Sequence, residues 1–245
     1  MKLKNIIEGI TNIGSDLVFD FTVDSAEDII RLKLQSFNKR FALHHGKEIY
    51  VGYKYKTTDT KRLDIFRDAL KSNSISEKDV TMLVNKAVEN FIRINPHKID
   101  VIVTPYNTGS ALNKLAAQLS AKYPGCILAD GVLVKRTYDE FLIGGKNISE
   151  LSPEHTKLLL PMLKNASKTG EFKMKAVSLR FRGLITNFMK FSNNRHKNIA
   201  TKIVSDNVLV LDDIYSGGNT FNEMFSIMDS MGAKMSFGFA LFASK

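Results

Sequence analysis

The residues best suited to chemistry lie together near the end of the chain, between Val208 and Thr220. Two adjacent carboxylates, Asp212 and Asp213, follow an apolar run, and a short loop with two glycines comes next. Glycines let backbone N–H groups approach an anion closely, and the start of a helix adds donors and a positive dipole end, so this loop suits a phosphate. The carboxylates would repel a phosphate but can accept hydrogen bonds from sugar hydroxyls or hold Mg²⁺. The segment predicts a ligand with a phosphate at one end and a diol or metal ion at the other.

The elements that would position these groups are a buried strand and a helix. The apolar run Val208–Leu211 predicts a four-residue strand, and residues 212–219 predict a polar loop. Apolar residues from Phe221 onwards recur at helical spacing until Gly232 ends the pattern. In open α/β sheets, ligands bind beyond the carboxyl ends of strands, which is where this arrangement puts the two carboxylates.

A second unit of strand, loop and helix precedes the first. Residues 99–103 predict a short buried strand, residues 106–110 a polar turn, and residues 111–122 a helix. Residues 126–136 predict the next strand, and residues 235–243 a final one. Strands that alternate with helices predict a mostly parallel sheet with helices on both faces, because a parallel pair needs a long crossover connection.

The first hundred residues predict mixed strands and helices. Residues 17–23 and 49–55 are rich in β-branched and aromatic residues, so we expect two strands, which could pair with each other. Residues 75–94 predict a helix, with Ser74 and Glu77 as a capping box.

We expect two regions along the chain, the second of which contains an insertion. Residues 1–95 predict an N-terminal α+β region packed on the core, and residues 96–245 predict the core itself. Within the core, residues 139–195 predict a basic insertion or mobile loop with helices, one of them starting at Ser152.

The excess positive charge of the chain is concentrated in residues 151–200, which overlap most of this insertion. The 245 residues include 35 Lys and Arg and 25 Asp and Glu, a formal net charge of +10. Eight of these ten excess charges fall within residues 151–200. Such a block indicates one anion-facing surface or a mobile basic loop, while a solvated basic face without a ligand remains the alternative.

Composition excludes several classes of protein. The single cysteine, Cys126, cannot form an intramolecular disulfide and predicts an inert thiol in a reducing compartment, and the five histidines show no metal-ligand spacing. The longest apolar run, about eight residues, is far shorter than a membrane span. We therefore expect a soluble, cytoplasmic protein without a membrane partner.

The thirteen residues from Val208 to Thr220 resemble the phosphoribosyl-pyrophosphate signature of type I phosphoribosyltransferases. In that signature an apolar strand precedes two acids, two variable residues, a small Ser/Thr/Gly-rich loop and a final Thr. Gly217 stands where that family usually has Thr, and Asn219 where it usually has a small residue. Tyr215 is similar to the ComF-like branch, as are Arg195 and Asn198 upstream. The resemblance covers roughly residues 97–245.

This resemblance implies a type I fold with a five-stranded parallel core and a reaction that uses Mg²⁺. A nitrogen nucleophile, a nucleobase or a related acceptor, displaces pyrophosphate from C1 of the ribose. Asp212 and Asp213 are implied as the catalytic residues, which hold the ribose hydroxyls directly or through Mg²⁺. The residues implied for the 5′-phosphate are Ser216, Gly217, Gly218, Asn219 and Thr220.

The resemblance also implies a pyrophosphate site and a lid. The family's pyrophosphate loop corresponds to Tyr106, Asn107, Thr108, Gly109 and Ser110. Lys135 and Arg136 are implied as its source of positive charge, and residues 139–195 as the flexible lid. Residues 1–95 are implied as a hood or a substrate-recognition part. Type I members are commonly dimers, so a homodimer is implied as well.

Two other functions stay open. A noncatalytic ComF-like factor could bind a nucleotide or nucleic acid through the basic block, with stacking by Phe181, Phe188 and Phe191, although their near-helical spacing is more typical of a core. A dinucleotide-binding oxidoreductase is disfavoured because no G-x-G-x-x-G motif follows a strand.

Overall fold

The computed structural model describes residues 7–13, 16–23, 26–42, 46–55, 66, 75–106, 109–137, 139–141, 152–166, 177–182, 185–192 and 198–243. The strands are β1 (Ile7–Ile13), β2 (Asp16–Val23), β3 (Ala26–Ala42), β4 (Glu48–Tyr55), β5 (Val101–Pro105), β6 (Ile127–Lys135), β7 (Met189–Phe191), β8 (Asn207–Tyr215) and β9 (Met235–Ala243). The helices are α1 (Glu77–Ile94), α2 (Ser110–Lys122), α3 (Pro153–Ala166), α4 (Leu179–Arg182), α5 (Ile199–Ile203) and α6 (Asn219–Ser230).

The strands form one sheet in the order β1-β2-β3-β4-β9-β8-β5-β6-β7. The five neighbours from β4 to β6 in this order are parallel, and β7 pairs antiparallel with β6 at one edge. The strands β1, β2 and β3 extend the other side as an antiparallel meander. The α/β class and the mostly parallel sheet predicted from the sequence are confirmed for these elements.

Helices cover both faces of the parallel strands and create two hydrophobic cores. The first core joins α1 and α2 to side chains on one face of the sheet, such as Leu209 and Phe239. The second joins α3, α5 and α6 to residues that alternate with these, such as Val208 and Val210. This alternation explains why the first part of β8, Val208–Leu211, and most of β9 are apolar, since both faces of the sheet are buried there.

The predicted strand over residues 17–23 is present as β2, and that over 49–55 as β4. The suggested pairing between them is wrong, because β3 lies between the two and pairs with both. Instead β4 continues the parallel sheet beside β9, with Ile49 opposite Gly238 and Lys54 opposite Ala243. Residues before position 95 therefore contribute a strand and, through α1, a helix to the central sheet and its first core.

The cap of helix α1 lies two residues later than the sequence indicated. The cap is Ser76, whose hydroxyl oxygen accepts a hydrogen bond from the backbone N–H of Asp79 at 3.1 Å, so the predicted capping box of Ser74 and Glu77 is wrong. The side chain of Tyr53 in β4 donates to the carbonyl of Leu83 at 2.8 Å and joins the helix to the sheet.

The described part of the predicted insertion includes α3, α4 and β7. Helix α3 starts where the sequence predicted, with the Ser152 hydroxyl accepting from the His155 N–H at 3.3 Å. Phe181 and Phe188 are buried in the second core, which fits the core interpretation of their spacing. No helix in the described part of the chain is long and apolar enough to cross a membrane.

Candidate ligand site at the carboxyl edge of the sheet

The strand order reverses direction between β5 and β8, which are neighbours in the sheet. From β5 the chain moves through α2 to β6 on one side, and from β8 it moves through α6 to β9 on the other. The helices α2 and α6 accordingly pack on opposite faces. Such a reversal opens a crevice beyond the carboxyl ends of the two strands, and this is where open α/β sheets bind their ligands. The loop after β8 and the start of α2 both lie at this edge.

The two adjacent carboxylates lie within β8 and not in a loop after it. The sequence predicted a strand that ends at Leu211, but pairing with β9 continues, with Asp212 opposite Ala240 and Tyr215 opposite Ala243. The polar side chains are accommodated because both acids are only half-buried. The Asp213 N–H donates to Oδ1 of Asp212 at 2.9 Å, which fixes the first carboxylate against its own backbone.

The regular alternation of buried residues is interrupted at the acids. Leu209 and Leu211 both face the first core, two residues apart as a strand requires, but the next residue of β8 in that core is Ile214. The two carboxylates fill the gap between them. This part of β8 therefore presents polar groups at the edge where the sheet meets solvent.

The loop after β8 is shorter than predicted and consists of Ser216, Gly217 and Gly218. Gly218 is the N-cap of α6 and has a φ of 77°, in the left-handed region that favours glycine. Asn219 and Thr220 belong to the first turn, which contains no acidic residue. No side chain of a described residue caps this helix, so its first N–H groups have no side-chain acceptor among the described residues.

The helix after β5 starts in the same way. Gly109 is the N-cap of α2, no side-chain cap is made there by any described residue, and Ser110 opens a first turn without an acid. Tyr106 directly follows the preceding strand, and its N–H donates to the carbonyl of Leu133 at 2.7 Å. Asn107 and Thr108, which complete the predicted pyrophosphate loop, lie outside the described residues.

The start of α1 provides a contrast within the same molecule. There Ser76 caps the helix, and the first turn contains Glu77 and Asp79, the usual complement to the positive end of a helix dipole. The helices α2 and α6 lack both features. An anion bound in the crevice would supply the negative charge that their own sequences omit.

The two predicted cations are in different positions. Lys135 is the last residue of β6 and is exposed. Arg136 is half-buried, and its guanidinium donates to the carbonyl of Met189 and to Oδ1 of Asn187, both at 3.2 Å. The structure thus leaves Lys135 at the surface and commits Arg136 to contacts with the segment that leads into β7. Arg195, upstream of the signature, lies outside the described residues, and Asn198 is the N-cap of α5.

A polar cluster beside β5 was missed in the sequence. The fully buried Thr104 hydroxyl donates to Oδ1 of Asp130 at 2.5 Å and accepts from the N–H of Gly131 at 2.8 Å. Gly131 has a φ of 65°, and the register of β5 against β6 shifts here, between Val103 and Pro105. This is an irregularity in the pairing of the two parallel strands. The Asp-Gly pair inside an otherwise apolar run was the available signal.

Cys126 fits the inert thiol predicted from the sequence. It is half-buried, and burial raises the pKa of the thiol to about 11, so little thiolate forms near neutral pH.

No protein-family model matches this chain, and no curated protein matches it. The fold is that of an α/β protein with a mostly parallel sheet and a topological switch point between β5 and β8.

Proposed function

We propose that this protein is a phosphoribosyltransferase-type protein that binds phosphoribosyl pyrophosphate with Mg²⁺. It transfers the phosphoribosyl group to a nitrogen nucleophile, a nucleobase or a related acceptor, and releases pyrophosphate. The observation that carries the proposal is the pair of acid-free, uncapped helix starts on either side of two carboxylates, at the point where the strand order reverses. Two anionic groups joined by a diol match this arrangement of donors and acceptors.

Each part of the crevice has a role in this proposal. The loop Ser216–Gly218 and the first turn of α6 bind the 5′-phosphate through backbone N–H groups and hydroxyls. Asp212 and Asp213 accept hydrogen bonds from the ribose hydroxyls. The start of α2 and the ammonium group of Lys135 bind the pyrophosphate end.

The same groups stabilise the charges that develop in the reaction. As the bond from C1 to pyrophosphate breaks, negative charge grows on the leaving group and positive charge on the ribose ring. Lys135 and the N–H donors of α2 face the first charge, and the two carboxylates face the second. Because these groups are fixed by strands and helices, little reorganisation is needed when the charges appear.

The donor set fits Mg²⁺ only when the ligand completes it. The described residues contain no group of three or more His, Cys, Asp or Glu side chains that could hold a metal. Two half-buried carboxylates suit Mg²⁺, which often takes one or two protein carboxylates and completes its shell with water and substrate phosphates. When bound, Mg²⁺ supplies neutralisation of charge on the leaving pyrophosphate.

A noncatalytic nucleotide- or nucleic-acid-binding factor is the second candidate. It is supported by exposed basic side chains on α3 and α4, namely Lys157, Lys164 and Arg180. If this surface binds a polynucleotide, affinity falls steeply with salt in proportion to the number of phosphates contacted. Titration with a single-stranded oligonucleotide at several salt concentrations tests this candidate directly.

Calorimetric titration with phosphoribosyl pyrophosphate and Mg²⁺ tests the main proposal. We expect binding by the wild type and its loss in the double variant Asp212→Asn/Asp213→Asn. The matched control is Asp206→Asn, because Asp206 precedes β8 at the opposite end of the same strand. Absence of binding by the wild type would sink the proposal. Where binding is found, release of pyrophosphate on adding a panel of bases and amines identifies the acceptor.

A further inference from the structure

A buried carboxylate joins α6 to the segment that leads into β7. Glu223, in the second turn of α6, is only 7% exposed. It accepts hydrogen bonds from the backbone N–H groups of Asn187, at 2.9 Å, and Met189, at 3.3 Å. A buried acid held by two backbone donors is a directional anchor, because the donors satisfy it in only one arrangement of the two elements.

The same short segment is held from its other side by Arg136, directly after β6. The guanidinium bonds to Asn187 and Met189, and the backbone N–H of Arg136 donates to the carbonyl of Phe188 at 2.9 Å. Asn187 itself has a φ of 60°, an unusual backbone conformation that these contacts help to hold. Residues 187–189 therefore form a polar bridge between α6 and the end of β6.

We propose that Glu223 and Arg136 are positioning residues that hold the phosphate-binding start of α6 and Lys135 at the end of β6 in one fixed relation. This inference rests on the proposed function, because it assigns α6 and Lys135 to the same ligand. It gives Arg136 a different task from direct contact with pyrophosphate. The bridge links the two flanks of the crevice on the α6 face of the sheet.

Glu223 acts through directional hydrogen bonds and not simply by filling space in the core. Burial raises the pKa of the Glu223 carboxyl, while the N–H donors and Arg136 act in the opposite direction. A buried carboxylate costs desolvation free energy, and an apolar side chain could fill the same space without that cost. What the carboxylate adds is a set of directional hydrogen bonds that fix the geometry. Glu140 and Lys190 also connect the end of β6 to β7, but as an ion pair that is about one-third exposed.

A double-mutant cycle measures whether the bridge positions Lys135. We expect Lys135→Ala to weaken binding of phosphoribosyl pyrophosphate with Mg²⁺ by about tenfold in the wild type. In the Glu223→Gln background the same change should weaken binding by no more than about threefold, because Lys135 is no longer held in register with α6. The matched background is Glu140→Gln, where the full effect of Lys135→Ala is expected. Additive effects in the Glu223→Gln background would overturn the proposal.

Hydrogen exchange gives a second measurement that needs no ligand. We expect Glu223→Gln to speed amide exchange in a peptide covering residues 185–191 by at least about tenfold, since two bonds to a charged acceptor are weakened. Glu140→Gln should change it by less than about twofold. If the wild type binds no phosphoribosyl pyrophosphate, the proposed function is wrong. If Glu223→Gln and Glu140→Gln have equal exchange rates over residues 185–191, the proposed bridge is wrong, whatever the binding result. Should Glu223→Gln not fold, Arg136→Lys, which keeps the charge but loses the two-point contact, takes its place in both measurements.

Discussion

Gly217 and Gly218 are adjacent in the loop before α6, yet the backbone requires glycine at only one of them. Gly218 has a φ of 77°, whereas Gly217 has no such left-handed φ, and a Cβ added to it meets no atom within 4 Å. We therefore predict that Gly218→Ala destabilises the protein and that Gly217→Ala does not. Both variants add one methyl group to the same loop, so each serves as the control for the other.

The size of the difference follows from the backbone conformation. An L-residue in the left-handed region is less favourable by roughly 1–2 kcal/mol, so Gly218→Ala should lower the free energy of unfolding by about that amount. For a chain of this length, each kcal/mol lowers Tm by roughly 2–4 °C. Gly217→Ala also restricts the unfolded chain, so its unfolding free energy should stay level or rise, by up to about 1 kcal/mol.

Urea denaturation followed by far-ultraviolet circular dichroism measures both values. The midpoints should separate while the dependence of unfolding free energy on urea stays the same, because neither variant changes the surface exposed on unfolding. Equal losses of stability in the two variants, or no loss in Gly218→Ala, would refute the assignment of the left-handed cap to Gly218. Calorimetric titration of the same variants then shows whether the cap conformation also matters for phosphate binding.

Three further results are expected. Gly238→Ala places a Cβ 2.6 Å from the ring of Phe221 in the first turn of α6, so thermal denaturation should show a loss of about 1–3 kcal/mol; an unchanged Tm would contradict this contact. Thr104→Val leaves the buried N–H of Gly131 without its acceptor, so urea denaturation should show a free energy of unfolding lower by about 1–3 kcal/mol. Thr104→Ser keeps the hydroxyl and should have a free energy of unfolding close to that of the wild type. Burial raises the pKa of Glu223, so the folded state binds its proton more tightly than the unfolded state; the free energy of unfolding should fall as pH rises from the ordinary Glu range through this raised pKa, and titration of Glu223→Gln should lack that fall.

The elements around the site were largely predictable because their residues carry strong local signals. Continuous apolar runs predicted β5, β8 and β9, and the helical spacing after Phe221 predicted α6, with Gly232 at a φ of 80° just beyond its end. The extent of β8 was not predictable from polarity alone. Asp212 and Asp213 stay in the ladder because β9 continues beside them, and a partner strand distant in sequence leaves no mark on the local pattern.

The contacts that fix the site geometry depend on tertiary structure and could not be predicted from the sequence. Arg136 was expected to face pyrophosphate, but only the arrival of residues 187–189 beside it shows that its guanidinium has other acceptors. Glu223 sits among apolar helix residues, and its burial depends on the same segment. The position of β3 between β2 and β4 was equally invisible, because strand order is set by packing across the whole sheet.

The place of β9 in the sheet has a consequence for how the chain folds. This strand comes after every other described strand in sequence, yet it lies between β4 and β8 and is their only link within the sheet. Until β9 has been synthesised, no strand pairing joins β4 with its meander to the strands around β8, and β4 and β8 each keep an open edge. Unpaired edges invite wrong pairing, and parallel pairing between distant segments is slow. We expect the last step of folding to be the insertion of β9, and we expect variants that weaken this strand to aggregate before they lose ligand binding.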